Sequence, residues 1–166
     1  TLKKALDEYG FDMIYGGARR DEEASRSKER VLSVRDKYHS WDPRNQRVEP
    51  WLIFNTEKVL DQTFRIFPIS NWTELNVWEY IKQESIDIVP LYFAKNRKVI
   101  VRDDEIYLYD DKRFEIKNTD KVKKIKVRFR TLGCYPLTAG IESDSDNIDK
   151  IIQELKDTSY SERSGR

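Results

Sequence analysis

The apolar run Phe11-Asp12-Met13-Ile14-Tyr15 stops at two consecutive glycines, Gly16-Gly17, with a helix-patterned segment in front of it and a dense run of charge behind. No other feature limits the fold as much. Leu2, Ala5, Leu6 and Tyr9 fall on one face at helical spacing, and Gly10 supplies the stop before the run begins. Helix, strand and glycine turn in that order form the repeating unit of a parallel α/β sheet. The chain therefore reads as α/β with a Rossmann-like parallel sheet, and an earlier strand is expected ahead of Thr1. Where a buried strand yields to paired glycines, the backbone can approach a ligand closely and free N–H groups face outward. The stretch from Ala18 to Arg30 then supplies Arg19, Arg20, Arg26, Lys28 and Arg30. Guanidinium forks suit phosphate or sulfate oxygens, so the strand end reads as an oxyanion site. Taken alone, the same stretch is equally a surface helix of balanced charge.

Composition narrows the chemistry. The 166 residues are 37% charged and 38% hydrophobic, which suits one soluble domain or the larger part of one. Apolar runs are short and interrupted by charge, and the first residues lack a signal-peptide pattern, so the expectation is a cytoplasmic protein with no membrane contact. Cys134 and His39 each occur once, which excludes an intrachain disulfide and a multi-cysteine metal site within this chain. A formal charge of +1 leaves nonspecific nucleic-acid binding without a driving field. Local clusters must carry any anion chemistry.

Along the chain, a charged helix is expected from Asp21 to Lys37, with Val31, Leu32 and Val34 as its apolar contacts. A loop anchored by core tryptophans Trp41 and Trp51 spans Tyr38 to Gln62, and Phe64 to Pro68 read as a short strand. Asn71 and Glu74 resemble a capping box for a helix that buries Leu75, Trp78 and Ile81. Val99-Ile100-Val101 and Ile106 to Tyr109 flank an acidic turn as a β-hairpin, and Asp103, Asp104, Asp110 and Asp111 read as turn residues rather than metal ligands. Lys121 to Lys126 form the solvated face of another strand. Ile148, Ile151, Ile152 and Leu155 mark a terminal amphipathic helix, with Ser143, Asp144 and Ser145 as capping candidates. The expected division is residues 1–37, the end of an α/β domain, and residues 38–166, an α+β portion that completes the anion site.

Two further basic motifs stand out. Arg128 and Arg130 alternate along a strand pattern that ends at Gly133 and Pro136, and so share one face near a strand end. Arg163 lies in the polar tail Ser161-Glu162-Arg163-Ser164-Gly165-Arg166, an arm able to close over a charged ligand. The ordered set Gly16-Gly17-Ala18-Arg19-Arg20-Asp21-Glu22-Glu23, Phe67 to Leu75, Val89 to Ala94, Arg128 to Cys134 and Ser161-Glu162-Arg163 resembles the small subunits of heterodimeric bacterial sulfate adenylyltransferases. These belong to the adenine-nucleotide α-hydrolase-like ATP pyrophosphatases, as do the phosphoadenylyl-sulfate reductases. The resemblance runs nearly the whole length.

That resemblance implies the conversion of ATP and sulfate to adenylyl sulfate and pyrophosphate, with a GTPase large subunit as partner and Mg2+ on the nucleotide. For such a reaction Arg19 and Arg20 are expected to bind sulfate and α-phosphate with the Gly16 and Gly17 N–H groups beside them, Arg128 and Arg130 to complete the anion pocket, and Gly16, Gly17, Asp21, Arg26 and Arg163 to bind the nucleotide, with no protein metal ligand. Sulfate is fully ionised at neutral pH and needs no general base, so the reaction is one of neutralising and orienting anions. The family's Ser-Gly-Gly-Lys-Asp-Ser pyrophosphate loop is missing, and family members continue past the Ser-Glu-Arg tail. An incomplete portion, unable to adenylate sulfate by itself, is the corresponding expectation. Ala139 stands after Thr138 where the family usually has glycine. Two alternatives remain in view: a phosphoadenylyl-sulfate reductase-like enzyme, which needs a reactive cysteine near a mobile tail, and a non-enzymatic RNA-binding module.

Overall fold

The computed structural model describes residues 2–22, 24–51, 57, 59–110, 112–133 and 135–157. They fall into two compact units, Thr1–Thr73 and Glu74–Arg166. A strand at residues 63–66 pairs with both earlier strands and holds them together within the first unit.

The first unit opens with α1 (Leu2–Tyr9), which buries Leu6 and ends at Gly10. Gly10 has φ +62° and donates its N–H to the Leu6 carbonyl at 2.9 Å, a left-handed stop that glycine adopts without steric cost. Then come β1 (Met13–Tyr15), β2 (Leu32–Arg35) and β3 (Thr63–Ile66), in the sheet order β1-β3-β2. β1 runs parallel to β3, with Met13 opposite Phe64, whereas β2 runs antiparallel to it. The described sheet is thus mixed, with one parallel pair. β1 is an edge strand, and Met13 and Tyr15 are exposed instead of buried.

The helix expected over Asp21–Lys37 does not form. A short 3-10 turn, Ala24–Arg26, is followed directly by β2. Partners distant in sequence decide this: Phe64 pairs with Val34 on one edge of β2, and on the other the Gln46 side chain accepts the Val34 N–H at 2.9 Å and donates to its carbonyl at 3.1 Å. Gln46 stands in for a neighbouring strand. Of the two anchoring tryptophans, Trp41 is half-buried beneath the Arg35 guanidinium, while Trp51 is exposed and stacks on Arg20.

The second unit is a small closed antiparallel barrel with two helices. α2 (Glu74–Gln83) precedes a 3-10 turn, Pro90–Tyr92; β4 (Lys95–Arg102), β5 (Glu105–Leu108), β6 (Val122–Arg128) and β7 (Ala139–Glu142) close in the order β4-β5-β7-β6; α3 (Ile148–Asp157) follows. Val99, Ile106, Leu108, Val127 and Phe129 fill the barrel. The acidic hairpin turn forms as expected, with Asp103 and Asp104 at φ +51° and +64°, the left-handed pair that a two-residue turn between twisted strands requires. Trp78 on α2 is buried edge-on against Tyr92, with ring centroids 5.7 Å apart. Both helix starts differ from expectation. α2 begins at Glu74, leaving Asn71 in the preceding turn, and α3 is capped by Asn147, whose Oδ1 accepts the Lys150 N–H at 3.0 Å. Ser143 and Ser145 are drawn instead to the Glu154 carboxylate.

Candidate anion site

In the first unit, the loop that leaves β1 carries Gly16, Gly17, Arg19 and Arg20. The Gly16 N–H extends the sheet by donating to the Ile66 carbonyl at 2.9 Å, so the expected free donor at Gly16 is already committed. A Cβ there would lie 2.9 Å from the Phe67 ring, which gives this glycine a packing reason. Gly17 differs. It is exposed, nothing crowds it within 4 Å, and no hydrogen bond engages its N–H among the described residues. The chain then docks on the segment after β3, with the Arg20 N–H on the Ser70 carbonyl at 2.9 Å and the Arg19 guanidinium near the Trp72 carbonyl at 3.4 Å. Arg19 is buried. Asp21 is exposed in the next turn, and Arg26 closes the 3-10 turn, half-buried. Among the described residues only the three-residue 3-10 turn Ala24–Arg26 stands between Arg20 and β2, too short to supply a helix dipole, and guanidinium groups carry the charge of this site.

The Arg20 fork is held on three sides. Nε donates to the Glu29 carbonyl at 2.8 Å, Nη2 donates to Glu49 Oε1, and the ring of Trp51 lies 5.9 Å from its Cζ. Glu49 also faces Arg30 Nη1 at 3.5 Å and accepts the Val31 N–H at 3.2 Å through Oε2. Burial and the neighbouring Arg30 charge pull the Arg20 guanidinium below its ordinary value, while Glu29 acts in the opposite sense. Behind this pair, Glu29 accepts the Ser33 hydroxyl and the Arg35 Nη2, the latter at 3.0 Å, in a buried cluster on β2. Nη1 of Arg20 has no partner among the described residues and is the donor left for a ligand. Arg20 and Arg30 against one Glu49 carboxylate leave a surplus of positive charge, which suits an anion.

In the second unit, Arg128 and Arg130 follow one another on β6 and just past its end, each held by its own carboxylate. Arg128 is wholly buried and donates through Nε and Nη2 to Glu154 Oε1 at 3.0 and 2.6 Å. Ser143 and Ser145 donate to the other Glu154 oxygen. Burial pushes the Glu154 carboxyl up, and the hydrogen bonds from Arg128, Ser143 and Ser145 more than reverse that, leaving it below the ordinary glutamate value. Arg130 donates through Nε and Nη2 to Glu74 at the start of α2. The structure brings Arg19 together with Arg20 in one unit, and sets Arg128 and Arg130 on separate carboxylates in the other. Arg163 and Cys134 lie outside the described residues.

Glu29 and Glu49 were absent from the sequence reading. Their signal was weak: each is one carboxylate within charged or loop-like sequence, and only the fold places it under an arginine. No helix among the described residues is long and apolar enough to cross a membrane.

The family model of the phosphoadenosine phosphosulfate reductase domain matches residues 1–140, and the chain belongs to that family. Proteins named sulfate adenylyltransferase subunit 2 are similar along its whole length. Those of Rhizobium sp. (strain N33) and Mesorhizobium japonicum (strain LMG 29417 / CECT 9101 / MAFF 303099) are each 56% identical over 166 residues, covering 100% of this chain and 55% of the relative. That of Shewanella sp. (strain W3-18-1) is 54% identical over 165 residues, covering 99% of this chain and 55% of the relative. The chain spans about half the length of the curated relatives it matches.

Proposed function

We propose that this chain is part of an ATP sulfurylase small subunit, which transfers the adenylyl group of ATP to sulfate in sulfate assimilation. The observation that carries this reading is the similarity, at 54–56% identity along essentially the entire chain, to proteins named for that activity. The cationic turn of Gly17, Arg19 and Arg20 supports it, because the reaction handles only anions. A sulfate oxygen attacks the α-phosphorus, a new P–O bond forms, and the bond from that phosphorus to the bridging oxygen of the leaving pyrophosphate breaks. No proton moves. The work of the protein is to hold two like-charged reactants in line and to exclude water.

In this reading, Arg19 and Arg20 serve sulfate and α-phosphate, with the Gly17 N–H beside them, and Arg130 and Arg163 are further cationic groups assigned to the anions, while the wholly buried Arg128 is spent on Glu154. Asp21 and Arg26 border the nucleotide. A Rossmann-like sheet of the adenine-nucleotide α-hydrolase type is part of the same proposal, and the parallel β1–β3 pair is compatible with it. Mg2+ travels on the nucleotide phosphates, held mostly by them and by water. The partner is a GTPase large subunit in a cytoplasmic heterodimer, in keeping with the word "subunit" in the relatives' names. Neither nucleic acid nor membrane enters.

The test is adenylyl sulfate formation by the full-length protein with its partner. Arg19→Ala or Arg20→Ala is expected to lower the rate by about 10²–10³-fold, the cost of losing one electrostatic contact made in the transition state. Unchanged formation in these variants and in Arg130→Ala would remove the assignment of the arginines. Thiol-dependent sulfite release would instead identify a reductase.

A further inference from the structure

We propose that Glu49 is the positioning residue of this anion site, a buried carboxylate that fixes the Arg20 and Arg30 guanidinium groups as one unit; the inference rests on the sulfate-activating reading above. Two observations support it. Glu49 is nearly inaccessible, with 3% of its side chain exposed, although it lies in a segment without regular structure. Its two oxygens are divided: Oε1 takes Arg20 Nη2 and faces Arg30 Nη1, while Oε2 is tied to the Val31 N–H at the entry to β2. The carboxylate is therefore anchored to the backbone on one side and presents charge to two arginines on the other.

The physical need for such a group follows from the arginines. Two guanidinium groups brought together on one loop repel each other, and Arg30 already lowers the Arg20 value. One shared carboxylate cancels that repulsion and still leaves the pair with a net positive charge. Long arginine side chains lose conformational freedom when they bind, and a fork fixed beforehand loses less of it at the moment the anion arrives. Glu49 spends both oxygens on these contacts, so it acts through Arg20 and Arg30 and does not touch the anion itself. Arg30 keeps a buried Nε with no hydrogen-bond partner, a second donor that the network leaves over beside the Nη1 of Arg20.

The experiment uses the full-length protein with its partner and follows pyrophosphate release at varied sulfate. Glu49→Gln keeps the shape and an acceptor for the Val31 N–H but removes the charge. It is expected to raise the KM for sulfate about tenfold or more, with a smaller effect on the KM for ATP, and Glu49→Asp to restore part of the loss. A double-mutant cycle supplies the readout that a purely structural role would not move. In an Arg20→Gln background, Glu49→Gln should add less than about threefold, because its effect runs through Arg20. If Arg20→Gln impairs sulfate use while Glu49→Gln leaves it unchanged, or if the two effects multiply in full, the positioning role is overturned and the anion site stands. If Arg20→Gln itself leaves sulfate kinetics unchanged, the reading of the site fails and the positioning role fails with it. Should Glu49→Gln not fold, Glu49→Asp and its cycle with Arg20→Gln decide by the same criteria.

Discussion

At the scale of single residues, adjacent glycines in one turn do different work. Gly16 lies where a Cβ would press on the buried Phe67 ring, and Gly17 faces open space. Gly16→Ala is expected to destabilise the protein by about 1–3 kcal/mol, as overpacking does, while Gly17→Ala changes stability little; urea unfolding of both variants checks the contrast. Arg128 offers the other residue-scale test, because it is wholly buried and Glu154 is its carboxylate. Removing that carboxylate leaves a buried charge without a counter-ion, so Glu154→Gln should cost about 3–5 kcal/mol at neutral pH. The Glu154 carboxyl lies below its ordinary value in the folded protein, so its stabilising contribution is fully present above the unfolded value of about 4.3 and is lost as pH falls through the folded value. The stability difference between wild type and Glu154→Gln should therefore shrink below about pH 4.3. A constant difference across that range would show that ionisation is not what Glu154 contributes.

Among the elements, α3 was legible from sequence because Ile148, Ile151, Ile152 and Leu155 repeat at helical spacing, and its own local chemistry is enough to begin it. Its cap was misplaced, because Ser143, Asp144 and Ser145 look like caps until the fold brings Glu154 within reach of the two serines. Asn147→Ala should cost about 0.5–2 kcal/mol by circular dichroism melting, and a Ser145→Ala change should not fray the helix start. The hairpin of β4 and β5 was legible for a similar reason, since the consecutive β-branched residues Val99-Ile100-Val101 and two aspartates at the turn specify it locally. β2 was not. Its charges and its Val31, Leu32 and Val34 fit a helix about as well as a strand, and the choice is made by β3 and by the Gln46 side chain, both remote in sequence.

For the whole molecule, cohesion is uneven within each described unit. The barrel buries Val99, Ile100, Val127 and Phe129 at 0% exposure and closes its sheet, which leaves no free edge. β1 is a three-residue edge strand with Met13 and Tyr15 exposed. Amide hydrogen exchange should accordingly protect β4 and β6 most and β1 least, and the reverse order by mass spectrometry would contradict this account of the two units. The sequence by itself determined the local matters: the helix–strand–glycine opening, the acidic hairpin, the terminal helix, and a stock of arginines suited to anions. These depend on spacing and backbone preference within a few residues, which a sequence displays directly. Tertiary structure alone decided the direction of β2, the edge position of β1, the N–H that Gly16 spends on Ile66, and which carboxylate stands beneath each arginine. A guanidinium group finds its counter-ion by proximity in space, and Arg20 and Glu49, or Arg130 and Glu74, become neighbours only after the strands between them have paired.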